Sequence, residues 1–323
     1  MRKKRFKITR RSQTAAKPVH QKHDKGYKHI LSHKQQFLHF LKTYIEADWV
    51  NDIDENDLDL IDKTFIDADF RQKESDVIYK LKFKGREIIF YVLLELQSSV
   101  DFTMPFRLLR YITALLKREF RSTAKNVREA KGYRLPAVVP IVLYNGADNW
   151  TAVRRFKEDV NGYEQFGEYI IDFKYLLFDL KREPEEAVLS GNQVIDMAFA
   201  LDRVKKNNVG ETLNTVSKKY RQMTDEEKED LENWIEYIWL DEVKDKEEKS
   251  KILSNFKRGE ITNMVSGFGA ILQEERLEGK KEAEKKKNMK LIEKMLKRGD
   301  SIDEIADFLD ITVDEVEGLI KER

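Results

Sequence analysis

Two acids and one amide carry the clearest chemical signal in the sequence. Asp76 lies near the start of one strand candidate, Glu74 to Phe83, and Glu95 and Gln97 lie at the end of the next, Glu87 to Gln97. Carboxylate and amide oxygens are ligands for a hard divalent cation such as Mg²⁺. The chain has no cysteine, so thiolate metal clusters are excluded. These residues therefore predict an oxygen-ligated cation site, with Asp76 and Glu95 as ligands.

The two acids meet only if the strands between them form a particular hairpin. A two-residue type II′ turn takes glycine at its first central position, so Gly85–Arg86 is the predicted turn. Lys84 then faces Glu87, the numbers of facing residues sum to 171, and Asp76 lies opposite Glu95. This register also gives the hairpin one entirely apolar face, as a buried sheet face requires.

Two facing carboxylates repel each other, which destabilises an ordinary sheet unless something compensates. Glu95 also follows the seven-residue apolar run Ile88 to Leu94, which carries it to the end of a strand that looks internal. A bound cation would turn the repulsion into binding. The alternative is a solvated face on which Lys80 and Lys82 balance the two acids.

Further strands and helices are expected around this hairpin. The apolar periodicity predicts helices over Tyr27 to Ile45 and Met104 to Phe120, and strands over Thr64 to Phe70, Ala137 to Tyr144 and Ile171 to Leu180. The chain therefore belongs to the α/β class, and nearly all of its last third is predicted to be helical.

The N-terminus is strongly basic, with twelve Lys and Arg and one acid over residues 1–34. Such a segment is either a nucleic-acid-binding tail or a solvated arm, because each Lys or Arg near a phosphate displaces condensed counterions. We expect residues 1–19 to be a basic disordered arm. No apolar run is long enough to span a membrane and no signal peptide is evident, so the expected compartment is the cytoplasm.

All five histidines of the chain fall within twenty residues. His29 and His33 are four apart on the predicted helix and have the spacing to share a metal, but no second pair of ligands with suitable spacing follows. The sequence therefore favours surface or phosphate-facing roles for the five, which are His20, His23, His29, His33 and His39.

Four blocks occur in order along the chain: HDKGYK at 23–28, SDVIYKLK at 75–82, FYVLLELQSSVDFTMPFRLLRYI at 90–112 and LPAVVPIVLYNG at 135–146. Together they resemble the recombination-promoting nuclease/putative transposase family, within the PD-(D/E)XK nuclease superfamily. The resemblance implies a mixed β-sheet core flanked by helices. It also implies a divalent-metal site, with Mg²⁺ or Mn²⁺, that hydrolyses DNA phosphodiesters.

The resemblance assigns roles to three residues of the candidate site. Asp76 corresponds to the motif acid, Glu95 to the second metal ligand and Gln97 to the third motif position, where the superfamily usually has lysine. A lysine would offset charge on the transition state, whereas glutamine can only hydrogen-bond to water or phosphate. Asp24 of the first block is either an additional acid near the metal or a helix N-cap.

Arg107 and Arg110 lie three residues apart on the helix that leaves the site and share a face. They are candidates for binding DNA phosphates. The alternative is salt bridging to acids such as Asp101 or Glu119.

The predicted domains are a nuclease-like domain over residues 20–215 and a helical region over residues 216–323. The region ends in a pair of short helices that resembles a helix-turn-helix, SIDEIADFLD and TVDEVEGLIKE. Eight acids against two bases over residues 301–323 argue against insertion into a DNA groove. Packing on the preceding basic helix or on a partner subunit of a homo-oligomer is favoured instead.

The sequence thus predicts a divalent-metal-dependent DNA endonuclease associated with recombination or mobile elements, with DNA as partner and no membrane association. A catalytically inactive DNA-binding or regulatory protein on a decayed nuclease fold is the alternative. A transposase that inserts DNA ends is a third class, which no residue compels.

Overall fold

The computed structural model describes residues 18–61, 77–95, 100–204, 208–240, 243, 245–260, 300–309 and 312–321, and single positions between 289 and 298. The predicted arm, except for residues 18 and 19, and the predicted strand Thr64 to Phe70 lie outside these residues. Contacts divide the chain into one unit of residues 1–205 and 211–244 and another of residues 206–210 and 245–323. The domain boundary at residue 215 stays a prediction; by contact, the first unit continues to Lys244.

Among the described residues, the first unit contains five strands and nine α-helices, one of which begins at Val209, just outside the unit. The strands are β1 (Leu58–Leu60), β2 (Val77–Phe83), β3 (Arg86–Glu95), β4 (Ala137–Tyr144) and β5 (Leu176–Asp179). The helices are α1 (Pro18–Leu31), α2 (Lys34–Tyr44), α3 (Met104–Ser122), α4 (Lys125–Arg128), α5 (Tyr163–Phe166), α6 (Glu185–Ser190), α7 (Val194–Asp202), α8 (Val209–Tyr220) and α9 (Asp225–Trp234). A π-helical turn, Ile235–Trp239, continues α9.

One mixed sheet forms the centre of this unit, with strand order β1-β2-β3-β4-β5. The pairs β1/β2 and β2/β3 are antiparallel, whereas β3/β4 and β4/β5 are parallel. The carboxyl ends of β3, β4 and β5 therefore meet at one edge of the sheet. The α/β class and the mixed sheet core flanked by helices are confirmed.

The hairpin turn lies one residue earlier than predicted. Phe83 pairs with Arg86, so the numbers of facing residues sum to 169 instead of 171. Both central residues have positive φ, 49° at Lys84 and 76° at Gly85, as a type I′ turn requires. The Lys84 ammonium group lies 2.5 Å from Asp52 Oδ2. The predicted type II′ turn was wrong, but a change of two in the sum leaves every side chain on the same face.

Helices cover both faces of the sheet. On one face, α3 packs on strand residues through a cluster of eight buried side chains, which are Ile78, Ile89, Tyr91, Met104, Leu108, Leu115, Val142 and Tyr175. On the other face, Phe37 of α2 stacks on Tyr79 of β2 with ring centroids 4.2 Å apart. Phe178 of β5 packs on Phe199 of α7 on this side. Burial on both faces explains why β3 and β4 are almost entirely apolar.

The predicted helix Tyr27 to Ile45 is two helices. After Leu31 the chain bends, and His33, with ψ of 123°, is the N-cap residue of α2. The hydroxyl of Ser32 donates to the Lys28 carbonyl at 2.6 Å, and the buried Tyr79 hydroxyl donates to the carbonyls of Leu31 and Ser32 at 3.0 and 2.7 Å. These bonds satisfy carbonyl groups that the end of α1 leaves free.

The second unit is helical among its described residues. It contains α10 (Lys246–Arg258), α11 (Ile302–Leu309) and α12 (Val313–Lys321). Ile292 and Met295 of the preceding basic segment form a small core with Ile305 and Val316 of the helix pair. This is packing on the preceding segment, as the charge count favoured. Throughout the described residues, every helix is too short or too polar to cross a membrane.

Candidate functional site

The carboxyl edge of β3, β4 and β5 is the candidate site. The parallel register pairs Glu95 with Tyr144 and Tyr144 with Asp179, so all three strands end side by side. Ligands of α/β sheets bind outside the carboxyl ends of the strands. The structure describes the backbone of Glu95 at this edge. Asp76 and Gln97 lie outside the described residues, and their roles stay predictions.

Asp202, the last residue of α7, has a buried carboxylate that contacts three other residues at this edge. Its side chain is only 5% exposed. The Tyr27 hydroxyl donates to Asp202 Oδ2, the Asn145 amide donates to the same oxygen at 2.9 Å, and His23 Nδ1 lies 3.5 Å from Oδ1. We call these four residues the Asp202 cluster. It joins the HDKGYK block of α1 to the Asn-Gly that follows β4.

The surroundings of Asp202 set the protonation of its donors. Burial alone would lower the pKa of His23, but the hydrogen bond and the charge of Asp202 outweigh it and raise the pKa above the ordinary 6.5. Burial, reinforced by the charge of Asp202, raises the pKa of the Tyr27 hydroxyl well above its usual range. Tyr27 therefore remains a donor at neutral pH, and His23 favours its charged form.

The loop after β4 is held rigidly. A Cβ on Gly146 would lie 2.0 Å from the Tyr144 hydroxyl, so only glycine fits at this position. The Arg182 guanidinium donates to the carbonyls of Gly146 and Ala147 at 3.0 and 2.7 Å, and to Asn149 Oδ1 at 2.9 Å. Glycine at position 146 is thus required for space in the loop that follows β4.

Asp24 is not a helix N-cap. It is the seventh residue of α1, which begins at Pro18, so the N-cap alternative was wrong. Its neighbour on the helix is His23 of the Asp202 cluster. A role as an additional acid stays a prediction.

The two arginines of α3 differ in their surroundings. A guanidinium nitrogen of Arg107 donates to the Asp101 carboxylate, which also accepts from the Thr103 amide at 2.8 Å and its hydroxyl at 2.6 Å. Burial alone would raise the pKa of Asp101, but the bonds from Thr103 and Arg107 lower it below the usual value. Arg107 therefore forms the salt bridge that was its alternative role, whereas Arg110 is exposed.

Lys80 has partners other than the predicted acids. Its ammonium group lies 2.9 Å from Glu119 of α3 and 3.2 Å from Glu87 of β3. Lys82 is exposed. Lys80 thus bonds to Glu119 and Glu87, and the solvated-face alternative, in which both lysines balance Asp76 and Glu95, stays open.

Four histidines face carboxylates from distant helices. His29 is also a surface residue, as predicted, because 59% of its side chain is exposed, whereas His23, His33 and His39 are half-buried. His23 faces Asp202, His39 Nε2 lies 2.8 Å from Asp196, and His29 and His33 both face Asp230. The side chain of His20 lies outside the described residues.

Sequence reasoning missed both acids of α7, Asp196 and Asp202. One signal pointed to them: they are charged residues in the otherwise apolar helix VIDMAFALD, and an acid in such a helix needs partners. The sequence around the two acids does not indicate which residues those partners are.

Three curated relatives match part of the chain. Recombination-promoting nuclease RpnC of Escherichia coli (strain K12) is 23% identical over 187 residues, which are 58% of this chain and 60% of the relative. Recombination-promoting nuclease RpnD of Escherichia coli O157:H7 is 30% identical over 125 residues, 39% and 45% of the two chains. The inactive recombination-promoting nuclease-like protein RpnE of strain K12 is 26% identical over 137 residues, 41% of each.

The chain spans between 41% and 60% of the length of these relatives. No solved structure matches it significantly. A family model described as putative transposase, YhgA-like, matches residues 21–231, which include the whole sheet and all four residues of the Asp202 cluster. On this match, the chain belongs to the YhgA-like putative transposase family and is related to the recombination-promoting nucleases.

Proposed function

We propose that this protein is a divalent-metal-dependent DNA endonuclease that acts in recombination or on mobile elements. The observation that carries the proposal is the convergence of three separate blocks at one sheet edge. His23 and Tyr27 of the first block and Asn145 of the last meet at Asp202, and β3 ends at Glu95 beside Tyr144. Relatives named recombination-promoting nucleases support the reaction class.

The cation would be held by Asp76 and Glu95. If the pairing of β2 and β3 continues by one residue pair, position 76 faces position 93, since facing residues sum to 169. Glu95 is then the next residue on the same face, and such diagonal neighbours lie about 7–8 Å apart, with their Cβ atoms somewhat closer. Two carboxylates at that separation can reach one ion between them. The observed register therefore keeps the proposed pair compatible with a shared cation.

The donor set fits magnesium or manganese. Asp76, Glu95 and Gln97 offer only oxygen and amide ligands, as these hard cations prefer. A divalent cation bound there supplies Lewis-acid stabilisation of the charge that develops on a phosphodiester. Gln97 would orient water or phosphate through its amide. Asp24 would add a further carboxylate from α1, which the Asp202 cluster holds against the end of β4.

Arg110, exposed on α3, is the first candidate for holding a flanking DNA phosphate. Arg107 would support DNA binding indirectly, because its hydrogen bond to Asp101 stabilises the start of the helix that carries both arginines. Substitution of Arg110 should weaken DNA binding similarly for all sequences, because phosphate contacts carry no base information.

A second candidate function is DNA binding or regulation without catalysis. One relative that matches this chain is named an inactive nuclease-like protein. The neutral Gln97 in place of the usual lysine also leaves the site without one positive charge.

A plasmid nicking assay tests the proposal. The full chain should nick supercoiled DNA with Mg²⁺ or Mn²⁺ and be inactive in EDTA. Glu95→Ala and Asp76→Ala should each abolish cleavage while DNA binding persists. Glu87→Ala is the matched control, because Glu87 is an exposed acid on the same strand as Glu95, and its cleavage should equal that of the wild type.

Cleavage that survives both substitutions would contradict the proposed site, and cleavage that continues in EDTA would contradict the metal dependence. A wild-type protein that binds DNA but never nicks it would contradict the endonuclease. That result would favour the second function.

A further inference from the structure

Two histidines and one aspartate converge away from the carboxyl edge of the sheet. His29 Nε2 lies 3.0 Å from Asp230 Oδ1, and His33 Nε2 lies 3.4 Å from Asp230 Oδ2. The two imidazole rings are nearly perpendicular, with centroids 5.3 Å apart. One ligand atom from each residue can be chosen so that all three lie within 4.8 Å of one another. We call these residues the junction triad.

These separations match those of ligands around a transition-metal ion. Zinc binds imidazole nitrogen at about 2.0–2.1 Å and carboxylate oxygen at about 2.0–2.2 Å in tetrahedral geometry. Ligand atoms of such a site lie roughly 3.3 Å from one another, as follows from those bond lengths and the tetrahedral angle. The nitrogen–oxygen distances, 3.0 Å from His29 to Oδ1 and 3.4 Å from His33 to Oδ2, are close to this value. Rotation of the side chains would bring one oxygen and both nitrogens, now within 4.8 Å of one another, around an ion.

The fold holds both histidines before any ion binds. His29 is in the last turn of α1, and His33 is the N-cap residue of α2, where its side chain makes no capping hydrogen bond. Between them, the carbonyls of Leu31 and Ser32 accept hydrogen bonds from the buried Tyr79 hydroxyl. The backbone that carries the two imidazoles is thereby fixed to the sheet.

The triad is open on one side. The exposed fractions of the side chains are 59% for His29, 34% for His33 and 13% for Asp230. Asp230 forms ion pairs with these two imidazoles. Among the described residues, no lysine or arginine competes for this carboxylate, and water would complete the coordination of an ion.

We propose that His29, His33 and Asp230 bind one divalent transition-metal ion of the zinc type and so tie the α1–α2 junction to α9. Imidazole selects zinc over magnesium, which prefers oxygen ligands. The site is therefore chemically distinct from the one at Asp76 and Glu95, and it does not depend on nuclease activity.

The position of the triad indicates a stabilising role. α1 and α9 already pack closely, since a Cβ on Gly26 would lie 3.1 Å from the Trp234 ring and Tyr27 packs on the same ring. α1 also carries His23 and Tyr27 into the Asp202 cluster. An ion at the junction triad would hold the helix that supplies these two residues.

Calorimetric titration of ZnCl₂ into the untagged, chelator-treated full chain tests this site. We expect one equivalent to bind, with little displacement by excess Mg²⁺. His29→Ala, His33→Ala and Asp230→Asn should each weaken binding by at least about tenfold, the scale on which altered metal environments act. Glu229→Ala, an exposed acid adjacent to Asp230, is the matched control, and Glu95→Ala separates this site from the proposed catalytic one. Both controls should bind zinc as the wild type does.

Two further readouts guard against misfolded variants. Co²⁺ in place of Zn²⁺ should give a visible d–d absorption band in the wild type that the His29→Ala/His33→Ala double variant lacks. Zinc should raise the Tm of the wild type but leave that of the double variant, folded by circular dichroism, unchanged. A wild type that binds no zinc would overturn the proposal. So would zinc affinity that falls in Glu95→Ala and is unchanged in the histidine variants.

Discussion

The two acids of α7 occupy similar environments and yet play different parts. Asp196 is fully buried and accepts hydrogen bonds from the Tyr44 hydroxyl at 2.6 Å, from His39 at 2.9 Å and from the Gln193 amide at 2.9 Å. Asp202 likewise has a tyrosine, a histidine and one further nitrogen donor, here Asn145. Each acid therefore joins α7 to the N-terminal helices through one tyrosine and one histidine.

Their places on the helix separate them. Asp196 lies in the first turn of α7 and forms a capping box with Gln193, where a negative charge stabilises the helix. Asp202 is the last residue of the same helix, where a negative charge is unfavourable. The charge of Asp196 thus stabilises α7. The charge of Asp202 destabilises the end of the same helix, and Asp202 lies beside the candidate site. We infer that Asp196 serves stability and Asp202 serves function.

The largest expected effect is on stability. Asp196→Ala removes the acceptor of three donors, of which the Tyr44 hydroxyl is buried. It should lower the free energy of unfolding by about 1–3 kcal/mol, the cost of leaving a buried donor unsatisfied. Asp202→Asn keeps the size of the side chain and relieves the unfavourable charge at the helix end, so its loss should be clearly smaller. Urea denaturation of both variants measures the difference. Equal losses would remove the distinction between the two acids.

The next effect is on cleavage and rests on the proposed endonuclease. Asp202→Asn should reduce plasmid nicking by about 10–100-fold, the range seen when a residue that positions a metal site is changed. DNA binding and the unfolding midpoint should change little, which distinguishes positioning from loss of structure. His39→Gln is the matched control, because His39 is the histidine partner of Asp196, and this variant should nick DNA as the wild type does. If both variants lose cleavage alike, the Asp202 cluster has no special role.

The smallest effect is on pH dependence. The raised pKa of His23 means that its charged form is favoured in the folded state. The resulting stabilisation is fully present below the unfolded pKa of 6.5 and is lost as the pH rises through the folded pKa. His23→Gln should remove this component of the stability–pH curve, measured by urea denaturation from below pH 6.5 upward. A variant curve parallel to that of the wild type throughout would argue against the His23–Asp202 pair.

Local sequence patterns predicted the strands and helices better than the turns and breaks that connect them. The β2 and β3 strands and α3 followed from apolar periodicity, and the residues on each hairpin face were assigned correctly. The turn was misplaced by one residue, because Lys84 adopts a positive φ that glycine normally supplies. The break at Ser32 was missed because one of the groups that stabilises it, the Tyr79 hydroxyl, lies 47 residues away in the sequence.

The candidate site was predictable only in part. Glu95 was expected at the end of an internal strand, and it ends β3 beside β4. The Asp202 cluster and the junction triad depend on contacts across long sequence separations, such as the 201 residues between His29 and Asp230. The four-residue spacing of His29 and His33 was visible in the sequence, but no spacing pattern connects them to Asp230. The roles of Asp76 and Gln97 stay predictions.

The Tyr79 hydroxyl has a consequence for the order of assembly. Tyr79 belongs to strand β2, yet its hydroxyl donates hydrogen bonds to a carbonyl at the end of α1 and to another in the bend that follows. The last turn of α1 therefore lacks its partner until β2 is in place, and an early-forming α1 would fray at that end. The N-terminal helix and the central sheet should consequently become ordered together, as one cooperative step.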